Sequence, residues 1–331
     1  MSGADIPYQL RPNKFIDRQI FVEMLSRLIM PRGPEKYVYI SMGGRHLVDH
    51  YAIYNRLGIQ AQFSFDLDRN EVARQKFNRP TGATICEEMN SAALPTALDA
   101  ILQKFPTKQN LIVWLDYTNT DRLSQLQEAV QTLVRLKHGD VFRITLNAHS
   151  QTLGTGDQWK GTGAQNPAEY RANRLREQVA DLLPTNIVSI QEDELPSVLV
   201  KCVELAAQKA EALKVGLNVQ PSLITTYRDG QRMLTVTCAI SEDDATGQFP
   251  SSSFSRWKFA CDGWDDLQVI SVPILSPKEQ YRLDALLHRG PKKTLAGLKF
   301  LPADDETASL VAIRSYKSFQ RYYPSFRHVE D

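Results

Sequence analysis

Between residues 37 and 149 the chain alternates five short apolar runs with four helix-patterned segments, and the gaps between them are only a few residues long. The runs are YVYISM (37–42), AQFSFDLD (61–68), ATICEE (83–88), LIVWLDYT (111–118) and DVFRITLNAH (140–149). The segments between them are 46–58, 69–77, 95–105 and 122–139, the first and last closed by Gly58 and Gly139. Glycine just past a helix supplies the left-handed residue that ends it. Strand and helix in strict alternation, joined tightly, specify parallel pairing with helical crossovers. A run such as LIVWL has no apolar–polar alternation, so it suits a strand buried on both faces.

The flanks differ. Residues 14–30 place Phe15, Ile20, Phe21, Met24, Leu25, Leu28 and Ile29 at helical spacing, and Pro31, Gly33 and Pro34 stop that helix. Residues 150–168 are rich in Gly, Thr and Gln and read as a long polar loop, a length often used for lids or binding segments. Helices are expected at 169–183 and 193–215. Asp229-Gly230 then sits between two apolar runs in 222–240, a strong hairpin signal. Past residue 246 come one short strand, QVISVPI, and helices near 277–288 and 305–322. The expected fold is α/β: a doubly wound, mostly parallel sheet ending in an antiparallel hairpin, with a small, mainly helical C-terminal module. The expected domains are 1–245, with residues 150–216 as a loop and helical insertion, and 246–331.

A length of 331 residues suits about two domains. Lys+Arg (39) and Asp+Glu (38) nearly cancel, which argues against a polybasic binder and leaves local patches open. Cys86, Cys202, Cys238 and Cys261 form no C-x-x-C pair, so a zinc ribbon or redox dithiol is not expected. There is no apolar stretch long enough to span a membrane, and the N-terminus lacks a signal-peptide pattern. These features lead us to expect a cytoplasmic protein.

In doubly wound sheets, ligands lie beyond the carboxyl ends of the strands. That places Gly43, Gly44, Arg45 and His46 after the first strand, and Asp66 and Asp68 after the second. Glu87, Glu88 and Asn90 follow the third, Asp116, Tyr117 and Thr118 the fourth, and Asn147 and His149 the fifth. Glycines at a strand-to-helix turn let the backbone approach a ligand, and the helix start presents free N–H groups. Asp66 lies 22 positions after Gly44, a spacing suited to an acid on the ribose of an adenosine cofactor. Neither G-x-G-x-x-G nor G-x-x-x-x-G-K-[ST] is present.

Over about residues 14–242 the order of elements resembles the class I S-adenosylmethionine-dependent methyltransferases, whose parallel β/α units end in an antiparallel edge hairpin. The chain also has the general look of uncharacterised methyltransferases of bacterial genomic and defence islands. The resemblance implies S-adenosylmethionine as cofactor and methyl transfer to an N or O acceptor. It would put Gly43 and Gly44 at the methionine part, Asp66 on the ribose, and Glu87, Glu88 or Asn90 near the adenine. Asp116 and Tyr117 would then line the acceptor side. ISMGGRH lacks the acid and third glycine of the usual first motif, and LDYTN lacks the prolines of D-P-P-Y.

Methyl transfer needs positioning, and a base where the acceptor must lose a proton. Asp116 and His149 are candidate bases, and Tyr117 is a candidate stacking surface. His46, Asp49 and His50 form H-x-x-D-H, which on a continuous helix would put three metal-ligand side chains on one face. The larger expectation for them is polar contact within the cofactor turn. Arg171, Arg174 and Arg176, and the aromatic–cation mixture from Arg314 to Arg327, could grip nucleic acid. A terminal helix docking Tyr316, Phe319 and Tyr323 is the favoured alternative there. A partner protein is a further option. Two rival functions remain at this level: a non-catalytic subunit that keeps the fold, and a nucleotide- or NAD-using enzyme.

Overall fold

All five apolar runs become adjacent parallel strands in the computed structural model, which describes residues 11–243, 249–251 and 253–324. The order is α1 (Pro12–Ile29), β1 (Tyr37–Ser41), α2 (Val48–Leu57), β2 (Gln62–Asp66), α3 (Arg69–Asn78), β3 (Thr84–Glu88), α4 (Leu94–Gln103) and β4 (Asn110–Asp116). Then follow α5 (Arg122–Arg135), β5 (Val141–Asn147), α6 (Pro167–Val179), α7 (Leu195–Leu213), β6 (Leu217–Asp229), β7 (Gln231–Glu242) and β8 (Leu267–Ile270). Helices α8 (Pro277–Leu286), α9 (Pro291–Leu298) and α10 (Glu306–Phe319) complete the described chain.

The sheet runs β3-β2-β1-β4-β5-β7-β6-β8. Pairing is parallel from β3 through β5, and β7 enters antiparallel against β5, with Val141 opposite Ala239 and Asn147 opposite Met233. Asp229-Gly230 forms the expected turn between β6 and β7, with Gly230 at φ +106°. This is the mostly parallel sheet with an edge hairpin that the sequence implied. Strand order reverses between β1 and β4, so the topological switch point lies there.

The two faces of the sheet have different chemistry. One is uniformly apolar: Val38, Ile40, Phe63, Phe65, Val113, Leu115, Phe142 and Ile144 pack with Leu98 of α4, Leu126 of α5 and Leu199 of α7. On the other face, polar groups are buried, and several of them are paired. The Trp114 indole N–H donates to Thr145 Oγ1 (2.9 Å), and the Arg143 guanidinium lies 4.7 Å from the Trp114 ring centroid. Gln62 donates to the carbonyls of His50 and Ile59. Buried polar groups are tolerated when their hydrogen bonds are made.

The described residues divide into two compact units. The larger lies within Val22–Ile224 and Met233–Leu267; the smaller comprises 11–21, 225–232 and 268–324. Inside the smaller unit, Asp229 accepts from the Asn13 side chain (2.9 Å) and the Lys14 backbone N–H (2.7 Å). Tyr316 and Tyr323 are buried, donating to Asp284 and to the Pro273 carbonyl. These aromatics therefore serve as packing; Phe326 and Arg327 lie outside the described residues. Helix α8 starts with a Ser276–Glu279 capping box.

Three boundaries depart from the sequence reading. Helix α9 is absent from it, because PKKTLAGL offers few apolar positions. Strand β6 starts at Leu217; Pro221 within it lacks an N–H and hides the strand's first half. Helix α2 starts at Val48, because Leu47 adopts a left-handed backbone (φ +49°).

Candidate active site

Register alone aligns the carboxyl ends of the strands. Ser41 pairs with Ser64 of β2 and with Trp114 of β4, so Asp66 and Asp116 each lie two residues past a partner of Ser41, and Gly43 lies two residues past Ser41 in the turn that follows β1. Glu88 pairs with Asp66, and Thr145 with Asp116. The strand ends thus present Glu88 and Asp66 across β3 and β2 and Asp116 and Thr145 across β4 and β5, with the Gly43-Gly44 turn after β1 between the two pairs. Parallel strands lie about 4.8 Å apart, so the Asp66 and Asp116 backbones are separated by about 10 Å, with that turn between them. The two pairs lie on either side of the switch point.

The turn after β1 is held from the side by α3. Glu71, Gln75 and Asn78 lie at i, i+4 and i+7, one face of that helix. Glu71 ion-pairs with Arg45. The Gln75 amide donates to the Gly43 carbonyl while its oxygen accepts from Ser64 Oγ (3.0 Å). Asn78 donates to the Arg45 carbonyl (2.8 Å). The two glycines differ. A Cβ on Gly43 would lie 2.4 Å from both Leu47 Cδ2 and Ser64 Oγ, whereas a Cβ on Gly44 would meet nothing within 4 Å. Gly43 is demanded by packing, and Gly44 faces open space. Leu47, the N-cap of α2, provides no side-chain cap to its first turn.

Asp66 is half-buried, and burial holds its carboxyl above the ordinary carboxylate value. Its Oδ1 accepts from the Asp68 N–H (2.9 Å). Asp68 is the N-cap of α3, accepting from the N–H groups of Asn70 and Glu71. Asn90 likewise caps the short 3₁₀ turn Ser91–Ala93. Glu87 pairs with Lys104. Glu88 is exposed beside Asp66.

On the β4–β5 side, Asp116 ends its strand and is partly exposed. Tyr117 is buried and donates to Glu128 of α5; burial, then that bond, pushes its phenol far above the ordinary range. His149 begins the turn after β5, with Nε2 3.1 Å from Gln151 Oε1. Asn147 takes the His149 N–H on Oδ1 (3.0 Å) and donates to the Thr118 carbonyl (3.2 Å). Beneath them lies Arg122, fully buried. It donates to the Asn147 carbonyl (2.8 Å), Thr152 Oγ1 (2.7 Å) and Gln178. Burial pulls its pKa down to about 10. Sequence reasoning missed Arg122 and the α3 clamp. The polar i, i+4, i+7 stripe after a strand was the available signal for the clamp.

The H-x-x-D-H triad is not assembled. His46 lies in the turn outside α2, and His50 is buried edge-on to Tyr39 (centroids 4.9 Å), facing the Phe63 carbonyl. Among the described residues no group of three or more His, Cys, Asp or Glu could hold a metal ion. The basic helix α6 spends its cations locally: Arg171 and Arg176 donate to the carbonyls of Ile190 and Ile187, and Arg174 pairs with Glu177.

The family described as "Putative O-methyltransferase" matches residues 6–331. The chain belongs to that family. As a methyltransferase it uses S-adenosylmethionine as methyl donor. The fold is similar to Trm1 from Pyrococcus horikoshii, solved with S-adenosyl-L-methionine (TM-score 0.45, 11% identity, 92% of this chain and 76% of that one). It is also similar to the 16S rRNA (adenine(1408)-N(1))-methyltransferase from Catenulisporales acidiphilia (0.36, 12%, 71% and 93%). A third likeness is to a SAM-dependent methyltransferase from Anabaena variabilis (0.35, 8%, 71% and 96%). No curated protein matches the chain. The donor set in this methyltransferase fits the cofactor: open space at Gly44, an uncapped helix start, and a carboxylate at Asp66. No helix among the described residues is long and apolar enough to cross a membrane.

Proposed function

We propose that this methyltransferase binds S-adenosylmethionine over Gly44 and Asp66 and methylates a hydroxyl acceptor held at Asp116 and His149. The observation that carries the reading is that Asp66 and Asp116 end β2 and β4, the two neighbours of β1, whose own end leads into the Gly43-Gly44 turn at the switch point. The Gly43–Arg45 turn and the first turn of α2 receive the methionine part, and Asp66 accepts from the ribose hydroxyls. Arg45, His46, Asp68, Glu88 and Asn90 act around that pocket as frame and rim. Bound S-adenosylmethionine supplies an electrophilic methyl carbon, so the chain's task is to hold the acceptor oxygen in line and manage its proton. Asp116 orients the hydroxyl by accepting its hydrogen bond. With Gln151 Oε1 as acceptor, His149 carries its proton on Nε2, and Nδ1 keeps a lone pair for the acceptor's proton. Tyr117, tied to Glu128, supports the Asp116 turn from below.

In this reading residues 1–245 form the methyltransferase-type domain and 246–331 a C-terminal module. A cytoplasmic setting suits four buried free thiols. The test is transfer of labelled methyl from S-adenosylmethionine to hydroxyl-bearing small molecules, RNA and proteins. Asp116→Asn and His149→Ala should lower turnover while cofactor affinity holds. Unchanged turnover in both variants would contradict the roles of Asp116 and His149.

A further inference from the structure

Residues 69–79 carry Arg69, Arg74, Lys76 and Arg79 against a single acid, Glu71, in a chain whose net charge is only +1. Glu71 is committed to Arg45. The four cations make no ion pair and no hydrogen bond among the described residues. Beside them Phe77 is 90% exposed, the second most exposed of the large apolar side chains among the described residues. At 100° per residue, Phe77 projects about 60° from Arg74 and about 80° from Arg69 around α3, with Lys76 about 100° away. Single cations on a helix are ordinary, and so is one exposed apolar residue. A bare phenyl ring framed by unpaired cations is the arrangement that takes an unpaired base on its face and phosphates at its edges.

The ring also lines a surface groove. His46, Ala73, Arg74, Phe77 and Asn78 border a shallow, open depression of about 460 Å³. Asn78 in its wall donates to the Arg45 carbonyl, which ties that wall to the turn after β1. Polar contact is available from the exposed His46 imidazole.

We propose that this face of α3 binds a single-stranded nucleic acid, with a base stacked on Phe77 beside His46 and the backbone on Arg69, Arg74 and Lys76. The site shares His46 with the rim of the proposed cofactor pocket and binds without the cofactor. Charge complementarity selects a polyanion, and the exposed ring selects one with unpaired bases over a duplex.

The probe is a labelled mixed-sequence RNA of about 15 nucleotides, titrated in fluorescence anisotropy without S-adenosylmethionine. Binding should weaken as salt rises. Phe77→Ala should weaken the single strand about tenfold and leave a duplex unaffected. Arg74→Ala with Lys76→Ala should reduce the slope of log affinity against log salt by about 1.4. Equal binding of single strand and duplex, insensitive to Phe77→Ala, would overturn the proposal, as would no binding at low salt. So would capture by phosphatidylserine vesicles in place of RNA, or self-association in sedimentation velocity that Phe77→Ala abolishes. Titrating S-adenosylmethionine into the same variant reports on the cofactor reading independently, and its affinity should match the wild type.

Discussion

Arg45 and Glu71 close a two-point ion pair between the turn after β1 and helix α3, with Nη2–Oε1 at 2.9 Å and Nε–Oε2 at 3.2 Å. Both side chains are partly exposed, so the pair adds little to global stability, about 0.5 kcal/mol after solvent screening. Its effect is local: it fixes the backbone that carries Gly44. Glu71→Ala should therefore leave the urea midpoint almost unchanged and weaken S-adenosylmethionine about fivefold, about 1 kcal/mol of binding. Gln75→Ala should do the reverse in weight. It strands the buried Gly43 carbonyl and Ser64 hydroxyl and should cost about 2 kcal/mol of folding stability. Chemical denaturation and calorimetry on the two variants check this split.

The neighbouring glycines should behave differently when each is replaced by alanine. Gly43→Ala forces a methyl into Leu47 and Ser64, both 2.4 Å from the new carbon, and should destabilise by about 1–3 kcal/mol. Gly44→Ala meets no protein atom, so it should fold normally and lose cofactor affinity. Melting temperatures and binding isotherms of the pair separate packing from ligand approach. If Gly44→Ala binds normally, the cofactor does not approach that turn.

His50 gives the fold a defined acid sensitivity. Burial pulls its pKa from 6.5 down to about 4. Between those values the unfolded chain binds the proton and the folded chain does not. Stability from this group is therefore complete above pH 6.5 and is lost as pH falls toward 4. The full loss is about 3 kcal/mol. His50→Leu should flatten the wild-type slope of unfolding free energy against pH within that window. Parallel slopes for wild type and variant would remove His50 as the cause.

Arg122 joins the start of α5 to the ends of β5 and α6 with no carboxylate partner among the described residues. Arg122→Met should strand three acceptors and cost about 2–3 kcal/mol. Its functional effect should fall on turnover, because Asn147 and His149 lose their anchor, while S-adenosylmethionine affinity holds. Equal losses of turnover and cofactor affinity would point to general loosening instead.

The sheet was legible because each apolar run is bounded by glycine, proline or polar clusters, and because register follows from burial. Asp66 and Asp116 could be placed at strand ends for the same reason. The neighbours of Asp66 were harder. Asp68 and Asn90 cap helical turns, a local duty that the same residue types perform at any helix start. Tyr117 has the sequence position of an exposed platform, yet its ring is buried and its hydroxyl finds Glu128 eleven residues on, a pairing no local pattern announces. H-x-x-D-H needed an unbroken helix, and the left-handed Leu47 removes His46 from it. The α3 stripe and Arg122 act across elements, so their meaning emerges only once β1, α3, α5 and the turn after β5 are brought together.

The central claim is that Asp66 and the Gly44 turn hold S-adenosylmethionine, and isothermal titration calorimetry tests it most directly. Wild-type protein should bind S-adenosylmethionine with micromolar affinity and ignore NAD and ATP, and Asp66→Ala should abolish the binding. No heat of binding from the wild type, or an Asp66→Ala variant that binds as tightly, would contradict the account.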